Sequence, residues 1–197
     1  MKLLIRGGSV AAGHAAQRGY ADILQNRLRP RGIEVINRSR FQETSFDGIG
    51  TFSEDIDAFR PELLLIHFGV DDAFACVYRS EFQENLVQMV RLARERFNPA
   101  VFLATCHTFD HPEDMASVDI FYRSLRIVSQ DLHCHLIPVH TYWAAYLSEH
   151  QLTNAQLVGS DTRYPNKRGH EVIAEAIGLW LENHLEKSGR LALSDEA

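Results

Sequence analysis

The apolar positions of this chain fall into short, nearly continuous runs separated by longer stretches where they recur every three or four residues. The runs are Leu3–Ile5, Ile33–Ile36, Leu63–Phe68, Val101–Ala104 and His135–Val139. Runs of this length, bounded by turn residues, read as strands covered on both faces. Between them, Tyr20, Ile23, Leu24 and Leu28 share one helical face, as do Phe82, Leu86, Val90, Ala93 and Phe97. Val118, Phe121, Leu125, Val128 and Leu132 form a third such stripe, and Val172, Ile173, Ala176, Ile177, Trp180 and Leu181 the last. Pro30 with Gly32, Pro61 and Asn98-Pro99 supply the stops, and Ser80 with Gln83 resembles a capping box. A short helix is expected over Ser53–Phe59, after a polar loop from Asn37 to Gly50. The alternation predicts an α/β fold: a three-layer α/β/α sandwich on a five-stranded parallel sheet. One domain is expected over residues 1–187, with 188–197 as a flexible C-terminal tail.

In such a sheet the segments that follow the strands open onto one crevice. They carry Ser9, the loop from Asn37, Asp71 with Asp72, His107 and His140, and Asp161–Tyr164 just ahead of the last helix. Composition narrows the class only modestly. With 197 residues, 45% hydrophobic and 23% charged, the chain has the make-up of one ordinary globular domain. A net charge of −6 without a Lys/Arg cluster argues against a nucleic-acid partner. No window approaches the roughly 20 apolar residues of a membrane span. The first apolar run ends at Arg6, too short for a secretory signal. With Cys76, Cys106 and Cys134 scattered and odd in number, a reduced, cytoplasmic setting is expected. Neither a cofactor nor a metal is implied, because on a strand His133 and His135 face away from Cys134 and no zinc spacing occurs.

Four blocks of residues then resemble the SGNH (GDSL-type) serine hydrolases over essentially the whole chain. Asp161-Thr162-Arg163-Tyr164-Pro165-Asn166, followed by Gly169, His170 and an apolar helix, is similar to the family's last block, Asp-x-x-His-Pro-Asn. Gly8-Ser9 matches the first block, Asn37–Thr44 stands in the second with its glycine near Gln42, and Gly69-Val70-Asp71-Asp72 matches Gly-x-Asn-Asp in the third. The resemblance implies an acyl-ester hydrolase. Ser9 would attack the carbonyl, and the last block's Asp161 would orient a histidine base. The Ser9 and Gln42 amides, with an asparagine side chain, would hold the oxyanion.

Two of those side chains are replaced. Tyr164 stands in the histidine's place, and a phenol of pKa about 10 is roughly 99.9% protonated at pH 7. Tyr164 is therefore expected to donate a hydrogen bond to Asp161 or Asp71 rather than to act as base. Asp71 stands where the asparagine donor belongs, and such a donor is worth roughly 100- to 1000-fold in rate. An ionised carboxylate there adds a like charge beside the oxyanion. A base relocated to His140, His107 or His14 would restore the chemistry, whereas His170 at the helix start reads as structural. Asp71 and Asp72 imply a pocket of negative potential, suited to a cationic ligand as well as to an acyl ester. Two readings stand: an ester hydrolase or acyl transferase working through Ser9 with an altered catalytic set, and a non-catalytic relative that binds a ligand or partner in the same crevice.

Overall fold

The computed structural model describes residues 1–189; of the expected tail, residues 190–197 lie outside the described residues. Five strands, β1 (Lys2–Gly7), β2 (Glu34–Asn37), β3 (Leu63–His67), β4 (Ala100–Ala104) and β5 (His135–Ile137), form one parallel sheet in the order β2-β1-β3-β4-β5. β1 and β3 lie side by side at its centre, with Leu3 opposite Leu63 and Gly7 opposite His67. Leu3, Leu4, Ile5 and Leu63–Ile66 are fully buried, which accounts for the unbroken apolar runs.

The helices are α1 (Tyr20–Leu28), α2 (Ser45–Phe59), α3 (Val70–Phe74), α4 (Arg79–Arg96), α5 (Pro112–Asp131), α6 (Val139–Glu149) and α7 (Lys167–Lys187). α1 packs on α7 and α7 on α6, while α2 packs on α4 and α4 on α5, giving the two outer layers. The chain leaves β1 towards β2 and returns to β3 on the other side of β1. That reversal opens a crevice beyond the carboxyl ends of β1 and β3.

Four elements depart from the hydrophobic pattern. α2 begins at Ser45, eight residues before the expected start at Ser53, because Thr44 and Asp47 close a capping box. The Thr44 hydroxyl accepts from the Asp47 N–H at 3.3 Å, and Asp47 accepts from the Thr44 N–H at 3.1 Å. Gly48 and Gly50, each about 1 kcal/mol poorer than alanine in a helix, mask this start in the sequence. α6 was not anticipated at all. Only Val139 and Trp143 are buried along it, too few for a periodic stripe. β5 stops at Ile137, so His140 sits in the first turn of α6 and not at a strand end. The five-residue α3 is likewise too short to leave a period.

Candidate active site

Gly8 and Ser9 follow β1 directly. A Cβ on Gly8 would fall 2.0 Å from Asp71 Oδ2 and 2.6 Å from the Glu43 carbonyl, so glycine is what lets the first, second and third blocks meet here. Ser9 is fully buried. Its N–H donates to Asp71 Oδ2 at 2.7 Å, its hydroxyl donates to Asp71 Oδ1 at 2.6 Å, and its Oγ accepts from the Gln42 N–H at 2.8 Å. Gln42 holds φ at +58°, the left-handed backbone that glycine adopts without strain. A glutamine therefore keeps the amide position expected of the second block's glycine.

Arg6, the last large side chain of β1, fixes that loop from below. Fully buried, it donates to the Arg38 carbonyl, to Glu43 Oε1 at 3.0 Å, to the Gly48 carbonyl at 3.1 Å and to Thr51 Oγ1 at 3.1 Å, and pairs with Asp55 at 3.0 Å. The sequence reading passed over Arg6. Its signal was a cation inside an otherwise apolar strand, a residue type almost never fully buried unless paired.

Gly69, at φ +126°, turns the chain from β3 into α3 and presents two consecutive carboxylates in opposite directions. Asp72 was expected at the pocket but is fully buried beneath it. It accepts from the Ser45 N–H at 2.8 Å and the Gly69 N–H at 3.0 Å, so it braces the start of α2. Burial pushes its carboxyl up to about 6 against the pull of those hydrogen bonds. Burial also raises the Asp71 carboxyl, opposed by its bonds to Ser9 and by the Arg163 guanidinium.

The last block is arranged differently from the expectation. Asp161 is gripped by its neighbour Arg163, with Nη2 to Oδ2 at 2.6 Å and Nε to Oδ1 at 3.0 Å, and this holds its carboxyl below the usual range. Among the described residues no hydrogen bond joins the Tyr164 hydroxyl to Asp161 or Asp71, so the expected tie is not formed. Instead the buried Tyr164 ring meets His14 edge-on at 4.6 Å, and His14 stacks on Phe41 at 4.0 Å. Arg163 lies 5.4 Å from both the Tyr164 and the Phe74 rings. Gln42, Asp71, Phe74, Arg163 and Tyr164 together wall a cavity of about 180 Å³. Arg163 beside Asp71 offsets part of the negative charge expected of this pocket.

Among the described residues no imidazole of His14, His107, His140 or His170 hydrogen-bonds the Ser9 hydroxyl, although the His14 backbone N–H donates to the Ser9 carbonyl at 3.0 Å. His107 is fully buried. Its Nε2–H donates to the Thr162 carbonyl at 3.2 Å, its Nδ1 lies 3.1 Å from Cys106 Sγ, and burial lowers it to about 4. His107 therefore supports the last block from behind. His140 is tied to Thr105, with Nδ1 2.8 Å from its Oγ1. His170, in the first turn of α7, accepts from the Tyr20 N–H at 3.3 Å. Of the proposed relocated bases only His14 borders the cavity wall, and its ring is held by Phe41 and Tyr164.

The model of the GDSL-like lipase/acylhydrolase family matches residues 6–172. The chain belongs to that family. An arylesterase of Vibrio mimicus is 23% identical over 188 residues, covering 93% of this chain and 90% of that protein. A catalytic mutant of Axe2, an acetylxylan esterase from Geobacillus stearothermophilus, superposes with a TM-score of 0.79 at 20% identity, covering 89% of this chain and 91% of that one. The lipase/acylhydrolase from Enterococcus faecalis gives 0.78 at 18% identity over 99% of both chains. At these identities the solved structures speak to the fold alone.

In this member of the family the Ser9 N–H points at Asp71 Oδ2 and the Gln42 N–H at Ser9 Oγ, so the first three blocks meet at the switch of the sheet. The side chain completing that cluster is a carboxylate. The only group placed to receive the Ser9 proton, among the described residues, is Asp71.

Proposed function

We propose that this protein is a carboxylic-ester hydrolase, or transferase of a small acyl group, that works through Ser9 with an altered catalytic set. The observation that carries this reading is the Ser9 hydroxyl itself, donating to a carboxylate at 2.6 Å while a backbone N–H points at its oxygen from 2.8 Å. A hydroxyl so placed has a proton acceptor beside it, one of the parts that acyl transfer needs, and the Gln42 N–H fixes its oxygen. Oγ lies beside Asp71 and Gln42, both of which wall the cavity. The cavity of about 180 Å³ beside Ser9 suits a small acyl group. An arylesterase among its relatives supports ester cleavage.

Hydrolysis of p-nitrophenyl acetate tests the reading. Turnover is expected to exceed that of p-nitrophenyl octanoate, and Ser9→Ala is expected to abolish it. Labelling of Ser9 by a fluorophosphonate is expected to be slow beside that of an intact Ser-His-Asp enzyme, since no imidazole serves it. Turnover that survives in Ser9→Ala would remove the reading. The grip of Arg163 on Asp161 and the burial of Ser9 favour the second reading, a non-catalytic binder of small ligands in the same cavity. Wild-type turnover no greater than that of Ser9→Ala would establish it.

A further inference from the structure

We infer that Asp71 is the general base of this protein, forming a two-residue Ser9–Asp71 catalytic unit that dispenses with a histidine. The inference rests on the ester-cleaving reading above. Asp71 Oδ1 lies 2.6 Å from Ser9 Oγ, within the range of a charge-assisted O–H···O⁻ hydrogen bond, and Oδ2 is anchored by the Ser9 N–H at 2.7 Å. The second bond locks the carboxylate so that Oδ1 cannot swing away from the hydroxyl. No other acceptor contacts that hydroxyl among the described residues.

This role removes the electrostatic objection to a carboxylate at this position. A bystander carboxylate would face a new oxyanion with two like charges side by side. A carboxylate that takes the serine proton is neutral at the moment the oxyanion appears, so the local charge stays at −1 throughout. The protonated Asp71 is then a donor beside the oxyanion, the role for which the asparagine is otherwise used. Burial favours the neutral acid, and the Arg163 guanidinium offsets the charge in the resting state. A carboxyl can thus supply base and donor in succession, where an amide can supply only the second.

The steps balance. The Ser9 proton passes to Asp71 Oδ1, Oγ bonds to the ester carbon, and the carbonyl π pair moves onto oxygen. As that pair returns, the bond to the leaving alcohol oxygen breaks and the alkoxide takes the proton from Asp71, leaving acyl-Ser9 and an ionised carboxylate. Water then gives a proton to Asp71 and adds to the acyl carbon. Collapse releases the carboxylic acid and returns the proton to Oγ.

Asp71→Asn separates this from a site that has merely lost its asparagine. Asparagine restores the side-chain donor and removes the acceptor. With p-nitrophenyl acetate, kcat/KM of Asp71→Asn is expected to fall about 100-fold or more, the usual worth of a general base. Asp71→Ala is expected to fall as far and to be partly restored by added formate, which places a carboxylate beside Ser9. Turnover of Asp71→Asn equal to or above wild type would overturn the inference while leaving Ser9 dependence intact. A wild type with no Ser9-dependent turnover would remove the ester-cleaving reading instead. Ser9 phosphonylation by a fluorophosphonate, which needs nucleophile activation but no turnover, then decides. Slower labelling in Asp71→Asn upholds the role of Asp71, and equal, faster or absent labelling in both proteins overturns it.

Discussion

Asp71 and Tyr164 each replace a residue of a familiar catalytic set, and their surroundings give them different fates. Tyr164 is packed as an aromatic wall, its ring set between His14 and Arg163. Asp71 is drawn onto the serine. For Tyr164→His alone, kcat/KM on p-nitrophenyl acetate is expected to change less than about 10-fold, since a base placed there still faces a charged Asp71 and an Asp161 already held by Arg163. A positioned base otherwise contributes about 100-fold or more, so a gain of that size would show that the histidine was the one missing part. The pH profile gives a second test. The groups facing Asp71 are Ser9, Arg163, Asp72 and Cys106. As a base Asp71 must be ionised, so activity is lost as pH falls through its folded pKa. Burial places that limb above the ordinary carboxylate value of about 3.9. Arg163→Ala removes a cation that favours the ionised form and is expected to move the limb to higher pH. A limb unmoved by Arg163→Ala would mean that another group governs it.

At the scale of elements, the site is assembled by loops that a buried ion network disciplines. Arg6 links β1 to both ends of the segment carrying Gln42 and to α2, through Arg38, Glu43, Thr51 and Asp55. Removing one partner of a buried pair leaves an uncompensated charge and costs about 3–5 kcal/mol. Arg6→Ala is expected to lose that much in urea unfolding, with the Gln42 amide displaced from Ser9. Arg6→Lys is expected to recover little, because an ammonium cannot reproduce the planar fork that spans these acceptors. A loss under about 1 kcal/mol would show that the loop holds itself. Most of this level was legible in outline. The strands and longer helices announced themselves by period, whereas α2 hid behind two glycines and α6 behind a half-exposed face.

At the scale of the molecule, three histidines are enclosed with Tyr20 and Cys106 behind the site. The Tyr20 hydroxyl shares a hydrogen bond with His67 at 2.9 Å, and its ring lies 6.2 Å from that of His170. Burial lowers His67 to about 3 and His107 and His170 to about 4. Below pH 6.5 the unfolded chain protonates these imidazoles while the native protein does not, so stability falls as pH drops from about 6.5 towards 4. Each contributes on the order of 1.4 kcal/mol per pH unit in that window. Asp72, raised to about 6, works in the opposite sense, since the native state binds its proton first. The net expectation is a slope of about two protons, read from urea midpoints between pH 6.5 and 4.5. A flat profile would show that the cluster is hydrated or already charged.

The sequence by itself determined the parallel sheet, the longer helices that cover it and the crevice at the carboxyl ends of its strands. Each of these follows from local periodicity, from turn residues, or from short blocks whose order and spacing lie along the chain. It also carried Ser9, Gln42, Asp71 and Asp161 to the same end of the sheet. Only the tertiary structure decided what those groups touch. That Asp161 binds Arg163, that Asp72 turns inward to cap α2, and that His107 and His140 face other partners are matters of direction set by packing. Side-chain direction depends on contacts between segments far apart in the chain, 155 residues where Arg27 meets Glu182. The pairing of Asp71 with Ser9 is of this kind: residue type and spacing placed a carboxylate near a hydroxyl, and the fold brought its oxygen to 2.6 Å.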